Sequence, residues 1–186
     1  MNQVLETIKS RRSVRLFKPE PLKESELAAI IEAGCYAPSA MNGQPWHFTV
    51  VQNKDLLGRM VEQVRELIKN IDSPRIQERL KDPNWQAFYR APAMVVVSGN
   101  KEAKFHQTDC AAATQNMLLA AASLGIGSCW IGIIAQLFES PKGAPFTKEL
   151  MIPEGYQPLY AVALGYPDGE PPQAAPRKED AVHYIR

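Results

Sequence analysis

Residues 117–135 carry no charged side chain over nearly the length a helix needs to cross a bilayer, about 20 residues. Ser123, Gly125, Gly127, Ser128 and Gly132 all fall within that run. A helix broken by Gly-x-Gly would leave backbone groups unpaired in lipid, where no water can satisfy them. The segment is therefore expected inside the protein, as a buried helix running into a buried strand. A chain of 186 residues is long enough for one domain with a core of that kind.

Apolar spacing predicts the other elements. Val4, Leu5 and Ile8 lie on one side of a short helix, which the basic residues from Lys9 onward would close, since cations suit a helix C-terminus. Leu27, Ile30 and Ile31 mark a second helix ending before Ala37, because Pro38 biases its predecessor away from helix. Leu56, Met60, Val64 and Ile68 form the stripe of a third, over 55–71. Strands are expected at 47–51, at 128–134, at 159–164 and at 94–97, the last wholly apolar and so buried on both faces. The Ala-rich stretch 109–124 should be the central helix. Residues 72–90, with Pro74, Pro83 and many charges, read as an irregular or partly helical surface excursion. No repeat or linker divides residues 1–186, so one domain is expected. Its end, about 166–186, reads as a proline-stiffened arm closing in a strand-like 181–185, suited to crossing onto another subunit.

Charge and cysteine usage exclude several classes. Lys and Arg number 21 against 20 Asp and Glu, and a net charge of +1 does not suggest a nucleic-acid partner. Charges arrive within MNQVLETIKSRR before an apolar run of signal-peptide length can form, so neither secretion nor membrane insertion is expected. Cys35, Cys110 and Cys129 are far apart, and His47, His106 and His183 show no metal-ligand spacing. No metal is expected, and a reduced, cytoplasmic setting fits.

Within that balanced composition one segment is lopsided. Lys9, Arg11, Arg12, Arg15 and Lys18 stand together without an acid. In an extended chain Arg11, Ser13 and Arg15 share a face, while Arg12, Val14 and Leu16 point the other way. Two guanidinium groups flanking a hydroxyl could grip a phosphate and reach about 13 Å along the strand to a ring. The same residues would serve equally as a solvated helix end.

APSAMNGQPWHF at 37–48, QNMLLAAASLGIGSCWIG at 115–132, and ALGYP at 163–167 followed by Arg177 complete a set with RRSVR. In that order they resemble the FMN-dependent nitroreductase family across nearly the whole chain. The resemblance implies a three-layer α/β/α sandwich of α+β class, with a mixed, mainly antiparallel sheet and a C-terminal strand swapped between subunits. It implies bound FMN at the interface of a homodimer. By this likeness Arg11, Ser13 and Arg15 contact the flavin, with Arg12 beside them. Pro38, Ser39, Ala40 and Asn42 would reach it from the other subunit. A backbone amide at about Ile131 and Gly132 would sit near its hydride-carrying nitrogen. Arg177, helped by Lys178, would add charge at the phosphate. The asparagine and lysine that often meet the pyrimidine edge have no clear counterpart. Asp109 reads as a helix N-terminal charge and Trp46 as core.

The implied activity is an oxidoreductase that passes hydride from NAD(P)H through the flavin to a nitroaromatic, quinone or similar acceptor, in a ping-pong cycle with no catalytic side chain. Arg15 would stabilise the negative charge that reduction creates on the ring. The alternative is a flavin-binding redox sensor or carrier without turnover. Residues 72–90 are the expected cover over the acceptor side.

Overall fold

Val95, Val96 and Val97, with Ala93 and Met94 before them, are entirely shielded from solvent, which requires a covering layer on each side of the strand that carries them. The computed structural model describes residues 2–186 and supplies both layers. In chain order its elements are α1 (Gln3–Ser10), α2 (Glu24–Cys35), β1 (Trp46–Val51), α3 (Lys54–Ile68), α4 (Pro74–Leu80) and β2 (Ala93–Asn100). There follow α5 (His106–Ser123), β3 (Gly127–Ile131), α6 (Ala135–Glu139), α7 (Ala144–Glu149) and β4 (Tyr156–Gly165).

The strands form one sheet in the order β1-β2-β4-β3, with antiparallel neighbours throughout. Side chains alternate across it. Ala93, Val95 and Val97 of β2 join Val162 and Leu164 of β4 beneath α2 and α5, packing on Ile30, Met117 and Ala121. Met94, Val96, Ala161 and Ala163 face the opposite layer, where Met60, Val64 and Ile68 of α3 meet Leu137 and Phe146. Each large aliphatic side chain buried this fully contributes about 1.5–3 kcal/mol. The result is the expected three-layer arrangement of α+β class. The one parallel pairing among the described residues is an isolated bridge between Ser13 and Ser128.

Local signals account for several boundaries. Asn53 caps α3 by accepting a hydrogen bond from the Leu56 amide at 3.0 Å, and Asn2 does the same for Leu5 in α1. At the end of α5, Gly125 takes φ +72°, a left-handed conformation that costs glycine little. There the Ile126 amide donates to Ala121 and the Gly125 amide to Ala122. The uncharged run 117–135 is thus a helix stopped by a glycine cap and continued as β3.

Some expectations change. β3 ends at Ile131, and Gly132–Ile134 is a 3-10 turn leading into α6; an apolar run alone does not separate a strand from a buried turn. The third helix stops at Ile68. The short α6 and α7 went unanticipated, being too brief for periodicity to declare. Residues 181–185 have no strand partner within the chain and are exposed.

Candidate functional site

The basic segment is pinned along β3 and then along the start of the arm. Ser13 pairs with Ser128, and the Val14 amide donates to the Ser128 carbonyl at 2.9 Å. Val14 packs so closely on Gly127 that a Cβ there would lie 2.9 Å from Val14 Cγ1, so this glycine serves close approach rather than a dinucleotide loop. Farther on, the Lys18 amide donates to Tyr166 and the Asp168 amide to Leu16.

The segment has two isolated bridges rather than a continuous strand. Burial pushes the Cys129 thiol above its ordinary value, and Arg15, a hydrogen bond with Ser13, and then Arg11 oppose that rise. All three therefore act on one point in β3. Arg12 turns away, its Nη1 donating to the Lys9 and Arg11 carbonyls, each at 2.7 Å. Its Nε is buried without a partner.

Where β3 ends, a cavity of about 560 Å³ opens, lined by Arg15, Cys129, Ile131 and Gly132. Nothing lies within 4 Å of where a Gly132 Cβ would sit, so its backbone borders open space. The far wall comes from Ile76 and Arg79 of α4 and from Trp85 and Tyr89 after it. The Arg15 guanidinium lies 5.8 Å from the centre of the Tyr89 ring.

This wall belongs to the segment expected as a surface excursion, and long-range hydrogen bonds hold it. From α3, Arg65 donates to the carbonyls of Leu80, Asp82, Pro83 and Trp85 at 2.9–3.4 Å. Gln77 Nε2 donates to the carbonyls of Lys69 and Ile71 at 3.1 and 2.9 Å. Pro74 in the first turn was the legible helix signal, since its missing N–H is not needed there. Arg79, Trp85 and Tyr89 are site residues that sequence reasoning missed.

The second motif is a tight loop elsewhere on the surface. Met41 and Asn42 adopt φ of 51° and 53°. Ser39 Oγ accepts from the Gln44 amide at 3.0 Å, and Asn42 Oδ1 accepts from Gln44 Nε2 at 3.1 Å. The buried Asp109 accepts from the Ala40 amide at 3.2 Å across 69 residues of sequence. Asp109 does lie in the first turn of α5, but it also fixes this loop.

Within one chain the structure brings Arg15, Ile131 and Gly132 to the cavity at the end of β3, while Ser13 pairs with Ser128 near the start of that strand, and Arg11 and Arg12 do not line the cavity. Pro38, Ser39, Ala40 and Asn42 do not line the cavity, and neither do Arg177 and Lys178, which are exposed in the arm. No group of residues able to hold a metal ion is found among the described residues.

Comparison with known proteins adds four findings. The model of the nitroreductase family matches residues 8–166. A protein of Archaeoglobus fulgidus, named by inference an NADH dehydrogenase/NAD(P)H nitroreductase, is 33% identical over 177 residues, which cover 91% of this chain and 88% of that one. The crystal structure of a Bacteroides fragilis nitroreductase with bound FMN superposes with a TM-score of 0.91 at 36% identity, covering 100% of both chains. An FMN-bound nitroreductase of Desulfitobacterium hafniense gives the same score at 33% identity, again over both complete chains.

Proposed function

The chain belongs to the nitroreductase family, and from that premise we propose that it is an FMN-dependent oxidoreductase taking electrons from NAD(P)H for a small acceptor such as a nitroaromatic or a quinone. Bound FMN would supply the two-electron redox chemistry; the protein supplies grip, orientation and charge. The observation that carries the reading is the cavity at the end of β3, where Arg15 meets the open backbone of Ile131 and Gly132, with Ser13 bridged to Ser128 farther back along the same strand.

The residues present fit the group. Arg12 has a buried, unpartnered Nε, and Gly132 leaves room against its backbone that any side chain would fill. Arg11 and Ser13 bind the phosphate end, since a guanidinium makes strong paired bonds to phosphate. Arg15 lends positive charge at the ring end, favouring the form that carries extra negative charge. Gly132 and Ile131 contribute main chain only. Donor and acceptor use the same cavity in turn, a ping-pong arrangement, and no side chain needs to bond covalently to either.

The rest of the site comes from a second copy. Pro38, Ser39, Ala40 and Asn42 lie against the partner's flavin, and the arm at 166–186 crosses over, its final strand pairing there, to bring Arg177 and Lys178 to a phosphate. A homodimer is supported by apolar surface that one chain leaves open. Helix α1 buries none of its residues, with Val4, Leu5 and Ile8 exposed, and a cavity of about 370 Å³ separates it from α5. Met41, Tyr184 and Ile185 are exposed too. Cys35, Cys110 and Cys129 are free thiols, which supports a reducing, cytoplasmic location, and no helix among the described residues is long and apolar enough to cross a membrane.

The test is the visible spectrum of the purified protein with its released cofactor identified, followed by steady-state NAD(P)H oxidation with a nitro compound or quinone. A yellow dimer that turns over is expected. A colourless monomer that ignores added FMN overturns the reading, and a yellow dimer without turnover makes it a sensor or carrier. Arg11→Ala should weaken FMN binding by about 1.5–3 kcal/mol, the worth of a charge-assisted bond.

A further inference from the structure

Three arginines line the cavity at the end of β3, Arg15, Arg75 and Arg79, and no carboxylate does. Arg75 and Arg79 are one turn apart on α4, so they share a face of a helix barely two turns long. Like charges at that spacing weaken a helix. Neither side chain has a hydrogen bond or ion pair among the described residues, and Glu78, which lies between them in sequence, pairs instead with Lys81. Arg79 is half-buried, and its charge is felt at the Cys129 thiol across the cavity. The bonds from Arg65 and Gln77 keep α4 at this wall despite the repulsion. The half-buried Arg79 and the exposed Arg75 thus stand at a concave surface lined by no carboxylate among the described residues, where a charge interaction is stronger than in bulk water.

We propose that Arg75 and Arg79 form an anion subsite for the electron acceptor, and that the preferred acceptor is an aromatic acid whose carboxylate sits on this pair. The proposal rests on the oxidoreductase reading above, in which Arg15 serves the flavin and the α4 pair has no role. Two guanidinium groups match a carboxylate in charge and in planar, forked geometry. Trp85 and Tyr89, which line the same wall, offer flat faces to the attached ring. A neutral acceptor enters the same cavity without using the pair.

The test compares 4-nitrobenzoate with 4-nitrobenzyl alcohol as acceptors for the FMN-loaded protein. Reduction of the nitro group takes two electrons and one proton as hydride from NAD(P)H and a second proton from solvent, giving the nitroso compound, water and NAD(P)+. In the double variant Arg75→Gln/Arg79→Gln, the ratio of kcat/KM for the acid to that for the alcohol should fall about tenfold or more, chiefly through KM for the acid. Arg79→Glu should lower it further. Benzoate, titrated into the FMN-loaded protein and followed by tryptophan fluorescence, should bind about tenfold more weakly to the double variant. An unchanged ratio with unchanged benzoate affinity overturns the proposal. So does a proportional loss with both acceptors, release of FMN, or a changed preference between NADH and NADPH, each of which would assign the pair elsewhere. If the native protein oxidises NAD(P)H with neither acceptor, the oxidoreductase reading fails, and the benzoate titration still decides whether the anion subsite exists.

Discussion

Arg15, Ile131 and Gly132 share one cavity and are tied to the sheet through β3, whereas the Pro38 to Asn42 loop and the arm with Arg177 and Lys178 stand at the surface of the same chain. The two surface regions also differ from each other. The loop is held in shape by its own bonds and by Asp109. Beyond Asp168 the arm has no backbone hydrogen bond to the body among the described residues, and 170–186 is exposed throughout. In the proposed dimer, then, the part of the site along β3 is present in one chain, the loop is already shaped, and the arm is the part that association would secure.

Removing residues 170–186 should break this division most severely. None of them is buried, so the body is expected to fold. The dimer should dissociate in sedimentation velocity, and FMN affinity should fall about 100-fold or more as Arg177 and Lys178 are lost. A truncated chain that stays dimeric and yellow would remove the arm from the site.

Asp109→Ala comes next. It leaves the Ala40 amide without its acceptor, a cost of about 1–3 kcal/mol, visible as a lower denaturant midpoint and a weakened hold on FMN. Asp109→Asn keeps a carbonyl oxygen in place and should recover most of the loss. If Asp109→Ala binds FMN as tightly as the parent, the loop's shape does not depend on this bond.

Arg15→Leu acts within the sheet-bound half and should leave FMN in place. The flavin midpoint potential should drop by about 30–60 mV, equivalent to about 1.4–2.8 kcal/mol for a two-electron couple. A redox titration showing no shift would take Arg15 out of that role.

Tyr166→Phe should give the smallest effect, at the point where the arm leaves β4. The Tyr166 hydroxyl donates to Glu26 at 2.6 Å and, together with the Lys23 amide, holds that carboxyl below its ordinary value of 4.5. A depressed carboxyl contributes stability that is present above its unfolded value and lost as pH falls through the folded one. The variant should thus be slightly less stable at pH 7, and the gap should close below pH 4.5. Tyr166 itself is raised above 10 by the same bond, so its share is lost only as pH climbs past that raised value. A gap that persists at pH 3 would show that packing, not this hydrogen bond, secures the start of the arm.

Much of the fold was legible. The apolar run around Val95 announced a strand covered on both faces, and the uncharged run 117–135 announced the helix and strand at the centre. Alternation after Arg11 put Arg11, Ser13 and Arg15 on one face; of these Arg15 lines the cavity and Ser13 pairs with Ser128. Residues 72–90 were expected as a cover over the acceptor side, and they do line the cavity, but which of them form its wall was not legible. Residues 74–80 make a helix too short to persist alone, and Arg65, whose bonds steady residues 80–85, stands on another helix. The tie between Asp109 and Ala40 was hidden for the same reason, because 69 residues separate the partners.

By itself, the sequence determined that 94–97 would be covered on both faces, that the uncharged run would lie inside, and where positive charge gathers, since these follow from residue type and period along each element's own length. Tertiary structure alone decided that α4 would form a wall, that its two arginines would lie across from Gly132, and that a buried carboxylate would steady a loop it never neighbours. Such bonds join groups whose distance is undefined until the chain has packed, so no local pattern can encode them.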